Sequence, residues 1–106
     1  MMAEPKIEIP RVQIDDFCRR WKIVEFSLFG SVLRDDFRPD SDVDVLVAFA
    51  PGVRLTLFDL GQIQQELEAM FGRPVDLVER EGLEESHNYI RRKHILGSLQ
   101  PLYVSR

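Results

Sequence analysis

Cysteine, histidine and long apolar segments are scarce in this chain, and each scarcity excludes a class of protein. Cys18 is the only cysteine among 106 residues, so no internal disulfide can form, and with only two histidines the sequence offers few ligands for a zinc site. No apolar run approaches the roughly 20 residues that a helix needs to span a bilayer. The first residues include Glu4 and Lys6 rather than the apolar core of a signal peptide. We therefore expect a cytoplasmic protein without membrane association.

A surplus of positive charge is also missing. The chain carries 14 Lys and Arg against 18 Asp and Glu, a formal net charge of -4 at pH 7. Proteins that bind nucleic acid in general carry a basic surplus that neutralises phosphates. The densest basic cluster, residues 91–94, is typical of a solvated helix face. We expect no strong nucleic-acid binding.

The sequence contains no linker, internal repeat or low-complexity segment. With 106 residues, of which 44% are hydrophobic and 30% charged, the chain has the size and composition of one globular unit with its own core. We predict a single domain over residues 1–106.

Hydrophobic spacing predicts an alternation of helices and strands. Thr56 and Asp59 form a predicted capping box for the long helix, and Gly72 is placed to end that helix. This helix is long enough to connect two neighbouring strands. The predicted elements are a helix over 12–21, a strand over 23–29, a short helix opening at Ser31, a strand over 42–49, a helix over 57–71, a strand over 75–78, a polar loop over 82–88, a helix over 89–96 and a weaker strand over 99–104.

A phosphate-binding turn is predicted where the first strand ends in Gly30-Ser31. The N-terminus of a following helix would present backbone N–H groups and a positive dipole end, both of which favour a phosphate. Gly30 permits a ligand to approach closely, and the Ser31 hydroxyl can donate one more hydrogen bond. Gly-Ser alone is weak evidence, because it occurs in many ordinary turns.

Three aspartates indicate that the predicted turn belongs to a metal-binding site. If Asp42 and Asp44 lie on one strand, both side chains point to the same face, and Asp76 enters from the next predicted strand. Each carboxylate pair at about 5 Å costs on the order of 3 kcal/mol at an effective dielectric constant near 20, so such a cluster favours bound cations. Hard oxygen ligands suit Mg²⁺ or Mn²⁺, and two ions about 4 Å apart would activate an attacking oxygen and stabilise a leaving pyrophosphate. A satisfied structural carboxylate is the alternative for Asp76.

This composite pattern resembles the nucleotidyltransferase superfamily related to the palm of DNA polymerase β, and most of all its minimal nucleotidyltransferases (MNT). The resemblance implies an α+β fold with a single mixed sheet of about four strands packed with helices. The residues that carry it are Gly30-Ser31, Asp42-Val43-Asp44 and Asp76, with Phe29, Arg34 and Ser41 in supporting positions.

The resemblance also implies roles for the acids and the turn. Gly30 and Ser31 would bind the triphosphate of ATP, and Asp42 and Asp44 would bridge two Mg²⁺ ions. Asp76 would complete the metal site and help to deprotonate the acceptor hydroxyl.

Two further residues are candidates for nucleotide binding. Arg34 matches a position that contacts phosphate, and a salt bridge to a neighbouring aspartate is its structural alternative. Ser41 matches a position before the first acid, and it could instead cap the turn before the strand.

Many minimal nucleotidyltransferases are encoded beside a HEPN ribonuclease toxin and act as its antitoxin by transferring AMP from ATP to a tyrosine of the toxin. Since nothing after Arg106 could form an acceptor-binding domain, we expect a HEPN protein to supply the acceptor, in a homo- or hetero-oligomer. Two alternatives stay open: an antitoxin that neutralises its partner by binding alone, and nucleotidyl transfer to RNA or to a small hydroxylated molecule.

Overall fold

The computed structural model describes residues 9–30 and 41–105 of the chain. Within these ranges, four helices and four strands follow one another. Their order is α1 (Arg11–Trp21), β1 (Ile23–Phe29), β2 (Val43–Phe49), α2 (Leu57–Phe71), β3 (Val75–Glu79), α3 (Arg80–Glu84), α4 (Tyr89–Leu96) and β4 (Gln100–Val104).

The strands form one mixed sheet in the order β3-β2-β1-β4. β1 pairs antiparallel with both β2 and β4, whereas β2 and β3 run parallel. The parallel pair requires a crossover connection, which α2 provides. β1 therefore ends at the same edge of the sheet at which β2 and β3 begin. This edge, at which Gly30, Asp44 and Asp76 lie, is called the acidic edge below.

Each face of the sheet has its own apolar cluster, because side chains alternate between faces along a strand. Residues of α1 and α2 such as Phe17 and Leu67 pack on one face against Phe26 and Val45. On the other face, Leu83 of α3 and Ile95 of α4 join Phe29 and Leu46 of the strands. The sheet is thus covered on both sides, which confirms the predicted α+β architecture.

The sequence predicted most elements to within two residues, and the exceptions have local causes. Residues 82–84, predicted as loop, belong to α3, which is too short for a helical hydrophobic period and buries only Leu83. β2 begins at Val43, so Asp42 directly precedes the strand that was expected to include it. Leu57, an apolar residue of the helix predicted over 57–71, is 87% exposed because it occupies the first turn, after the Thr56 cap.

In the described ranges, no helix combines the length and the hydropathy required to pass through a bilayer. The predicted short helix at Ser31 lies outside the described residues.

Candidate active site

Asp44 and Asp76 are neighbours across the parallel pair of strands. The register of β2 and β3 places their Cα atoms opposite each other, next to the apolar pairs Val43 with Val75 and Leu46 with Val78. Adjacent strands lie about 4.8 Å apart, and laterally paired residues of parallel strands point to the same face. The two carboxylates therefore lie side by side on the face that carries α3 and α4.

Gly30 lies against the carboxylate of Asp44. The residue before it, Phe29, pairs with Asp44 across β1 and β2, and Gly30 itself has a positive φ of 74°. A Cβ atom at Gly30 would come within 3.0 Å of Asp44 Oδ2, closer than real Cβ contacts. Glycine is therefore required here for both backbone conformation and space. The sequence predicted that a ligand would approach Gly30 closely. In the structure, the Asp44 carboxylate occupies at least part of the space beside Gly30.

An apolar layer begins one step behind the acids on the same face. Leu46 and Val78 follow Asp44 and Asp76 by two residues, and both belong to the cluster with Leu83 and Ile95. Leu46 is fully buried, whereas Asp44 is half-buried and Asp76 is exposed. The carboxylates thus have a buried apolar layer on one side and solvent on the other, which strengthens charge interactions compared with a fully solvated surface.

Two contacts join the segments that lead into β2 and β3. The backbone N–H of Val43 donates to the carbonyl of Pro74 at 3.0 Å, and Arg73 Nη1 donates to the carbonyl of Ser41 at 3.5 Å. These contacts fix the chain on either side of Asp42 relative to the start of β3. The sequence analysis did not single out Arg73, although this residue directly follows Gly72, which was predicted to end the helix.

The outer edge of β3 is covered by two side chains of α2. Glu68 Oε2 accepts a hydrogen bond from the backbone N–H of Val75 at 3.2 Å, and Gln64 Nε2 donates to the carbonyl of Val75. Gln64 also donates to Glu68 Oε2 at 3.2 Å. Both polar groups of the residue before Asp76 are therefore satisfied from the helix. Sequence reasoning missed this pair, because two polar residues four apart on a helix usually lie on a solvated face.

The donor chemistry of the acidic edge fits a hard divalent cation. Asp42, Asp44 and Asp76 supply only carboxylate oxygens, which are the ligands that Mg²⁺ and Mn²⁺ prefer. Among residues 9–30 and 41–105, no three His, Cys, Asp or Glu side chains are gathered as a metal-binding group. Asp76 is exposed, so its side chain can rotate about χ1 on a fast timescale to meet an ion.

Of the predicted site residues, the structure brings together Gly30, Asp44 and Asp76, and it places Asp42 and Ser41 directly before β2. Ser31 and Arg34 lie outside the described residues.

Comparisons with known proteins agree with this architecture. Residues 11–96 match the model of the nucleotidyltransferase domain family. The protein adenylyltransferase MntA of Thermococcus cleftensis is 38% identical over 65 residues, which cover 61% of this chain and 64% of that protein. The chain spans between half and two thirds of the length of the curated relatives it matches.

Solved structures share the fold over most of the chain. A protein assigned as a minimal nucleotidyltransferase is 35% identical, with a TM-score of 0.65 over 86% of this chain and 87% of that chain. The complex of an MNT antitoxin with a tri-AMPylated HEPN toxin of Shewanella oneidensis gives a TM-score of 0.60 at 21% identity, covering 90% of this chain and 70% of the matched chain. The family match, the close relative and the paired aspartates beside Gly30 lead to one conclusion: the chain belongs to the nucleotidyltransferase domain family, among its minimal nucleotidyltransferases.

Proposed function

We propose that this protein transfers AMP from ATP to a hydroxyl group, a tyrosine in particular, of a HEPN ribonuclease toxin and thereby acts as its antitoxin. The observation that carries the proposal is the lateral pairing of Asp44 with Asp76 next to Gly30. The pair lies at an edge of the sheet where Asp76 is exposed to solvent. Such a pair of carboxylates is costly without cations and useful with them. Support also comes from the adenylyltransferase name of the MntA relative and from the HEPN–MNT complex with which the fold superposes.

The residues of the acidic edge have separate roles in the proposed reaction. The acceptor hydroxyl oxygen forms a bond to the α-phosphorus of ATP, the bond from this phosphorus to the oxygen bridging to the β-phosphorus breaks, and pyrophosphate leaves. Asp76 is exposed on the edge strand, where a protein acceptor can reach it, and its carboxylate accepts the hydroxyl proton. Asp42 and Asp44 would hold Mg²⁺, which when bound offsets the negative charge of the phosphates.

The acceptor is proposed to come from the partner because the described surface next to Asp76 is open. A HEPN ribonuclease binds RNA and needs basic surface, and the net charge of -4 on this chain favours its approach to such a partner. Gly30 and Ser31 are proposed to bind the triphosphate, with Arg34 and Ser41 contributing contacts.

Incubation of the protein with the HEPN partner, MgCl₂ and ATP labelled on the α-phosphate tests the proposal. We expect label on the partner in the wild type and a loss of about 10³-fold or more in Asp44→Asn and Asp76→Asn, since charge stabilisation and proton transfer each contribute factors of this order. Asp16→Asn is the matched control, because Asp16 is 70% exposed on α1, away from the acidic edge. Mass spectrometry then identifies the modified residue.

Other outcomes contradict specific parts of the proposal. Inhibition of the toxin without label would support an antitoxin that acts by binding alone. Label on RNA or on a small hydroxylated molecule, with none on the partner, would replace the acceptor. Full activity of Asp44→Asn would remove the paired aspartates from the reaction.

A further inference from the structure

We propose that Gln64 and Glu68 are positioning residues, which hold β3 in register by taking the place of a neighbouring strand and thereby fix Asp76 beside Asp44. The inference rests on the proposed function for its catalytic consequence, whereas its structural content is independent of that function. The two residues and their contacts with Val75 are called the edge clamp below.

The clamp is needed because β3 is an edge strand. Among residues 9–30 and 41–105, the sheet order places β2 on one side of β3 and no strand on the other. In a parallel pair, alternate residues direct both backbone groups toward the same side. The carbonyl of Pro74 accepts from Val43 of β2, so Val75 directs its N–H and carbonyl outward. Unpaired groups at a sheet edge favour slippage and pairing with other chains.

The side chains of the clamp reproduce what a strand would offer. The Glu68 carboxylate accepts from the Val75 N–H, and the Gln64 amide donates to the Val75 carbonyl, as a backbone carbonyl and a backbone N–H would. The hydrogen bond from Gln64 Nε2 to Glu68 Oε2, 3.2 Å long, joins the two side chains into one unit. Gln64 and Glu68 are half-buried and Val75 is buried, so competition from water is reduced.

The position of the clamp gives it a functional consequence. Val75 is the first residue of β3, and Asp76 is the second. A one-residue slip of β3 would move Asp76 to the opposite face of the sheet, away from Asp44. Even an error of about 1 Å in the position of a catalytic group can cost about 100-fold in rate.

Amide hydrogen exchange of Val75, measured by NMR, tests the clamp without reference to activity. In Glu68→Ala, we expect the Val75 amide to exchange about tenfold faster or more, because it loses its acceptor. Glu68→Gln keeps a side-chain oxygen and should keep most of the protection. Thr56→Ala is the matched control, since it removes the N-cap of the same helix without touching Val75.

Kinetics of AMP transfer test the consequence for Asp76. We expect kcat to fall about tenfold to 100-fold in Glu68→Ala, with the KM for ATP unchanged, and to recover in Glu68→Gln. Thr56→Ala should lower the melting temperature by about as much as Glu68→Ala does, and it should leave kcat unchanged.

The possible failures are distinguishable. Unchanged Val75 exchange in Glu68→Ala, or an equal loss of kcat in Glu68→Ala and Thr56→Ala, would overturn the clamp. If the wild type transfers no AMP to any acceptor, the proposed function is wrong, and the exchange of Val75 alone then decides whether the clamp exists.

Discussion

Replacing Gly30 with alanine separates backbone strain from displacement of the carboxylate of Asp44, for which a catalytic role is proposed. Gly30 has a φ of +74°, a conformation that costs a non-glycine residue about 1 to 2 kcal/mol. Gly52 has a similar φ of +84°, but a Cβ atom there would meet nothing within 4 Å, whereas at Gly30 it would collide with the carboxylate of Asp44. The two substitutions therefore share the strain and differ in the collision.

We expect both variants to lose about 1 to 2 kcal/mol in the free energy of unfolding. Urea titration followed by the fluorescence of Trp21, the only tryptophan, measures this loss. Only Gly30→Ala should lose nucleotidyl transfer, by about 100-fold, because Asp44 must move by the order of 1 Å to admit the methyl group. Gly52→Ala should retain nearly full activity.

Two outcomes would contradict this prediction. If Gly30→Ala and Gly52→Ala have the same activity, the contact between Gly30 and Asp44 has no role in transfer. If Gly30→Ala is as stable as the wild type, the strain assigned to its positive φ does not exist.

Three further predictions concern charge. Asp76→Asn should raise the free energy of unfolding by up to about 1 kcal/mol in the absence of divalent ions, since it removes repulsion from a neighbouring carboxylate, and MgCl₂ should raise the melting temperature of the wild type more than that of the variant. Glu25→Gln should cost about 1 to 3 kcal/mol in urea titration, because Glu25 accepts two hydrogen bonds from Arg80, at 2.6 and 2.9 Å, in a half-buried pair. Asp16→Asn, which weakens the exposed pair with Arg20 on α1, should have no measurable effect on stability. Burial raises the pKa of the Cys18 thiol from 9.0 to about 12, aided by Asp15. Between pH 9 and 12 the unfolded thiol loses its proton while the folded thiol keeps it, so stability should fall with rising pH by up to about 1.4 kcal/mol per unit more in the wild type than in Cys18→Ala.

The sequence was sufficient where a local pattern determines local structure. Alternation of apolar and polar residues predicted β1, and the capping box at Thr56 predicted the start of α2, because both depend on residues close in the chain. α3 was missed because five residues with one buried side chain, Leu83, produce no helical period and Gly82 is typical of a loop.

The sequence was enough to propose which residues form the candidate site, but not how the sheet arranges them. The spacing of Asp42 and Asp44 predicts a common face only if both lie on the strand, whereas β2 begins at Val43. The partner of Asp44 across the sheet depends on the register of β3, which a helix of 15 residues and several turns separate from β2. The edge clamp on Val75 was hidden for the same reason, because it joins residues that only the packing of α2 brings together.

The location of the acidic edge follows from the topology. β1 runs antiparallel to β2, and β2 runs parallel to β3, so one strand end and two strand starts lie at the same edge. Gly30, Asp44 and Asp76 therefore meet there. Two residues further along, Leu46 and Val78 are covered by α3 and α4, so the carboxylates border the core without entering it. Deeper burial would impose a desolvation cost on each charge, and full exposure would weaken attraction for a cation. The same arrangement leaves β3 as an edge strand, so a site of this kind needs a device that fixes its outer acid, and the side chains of α2 provide it.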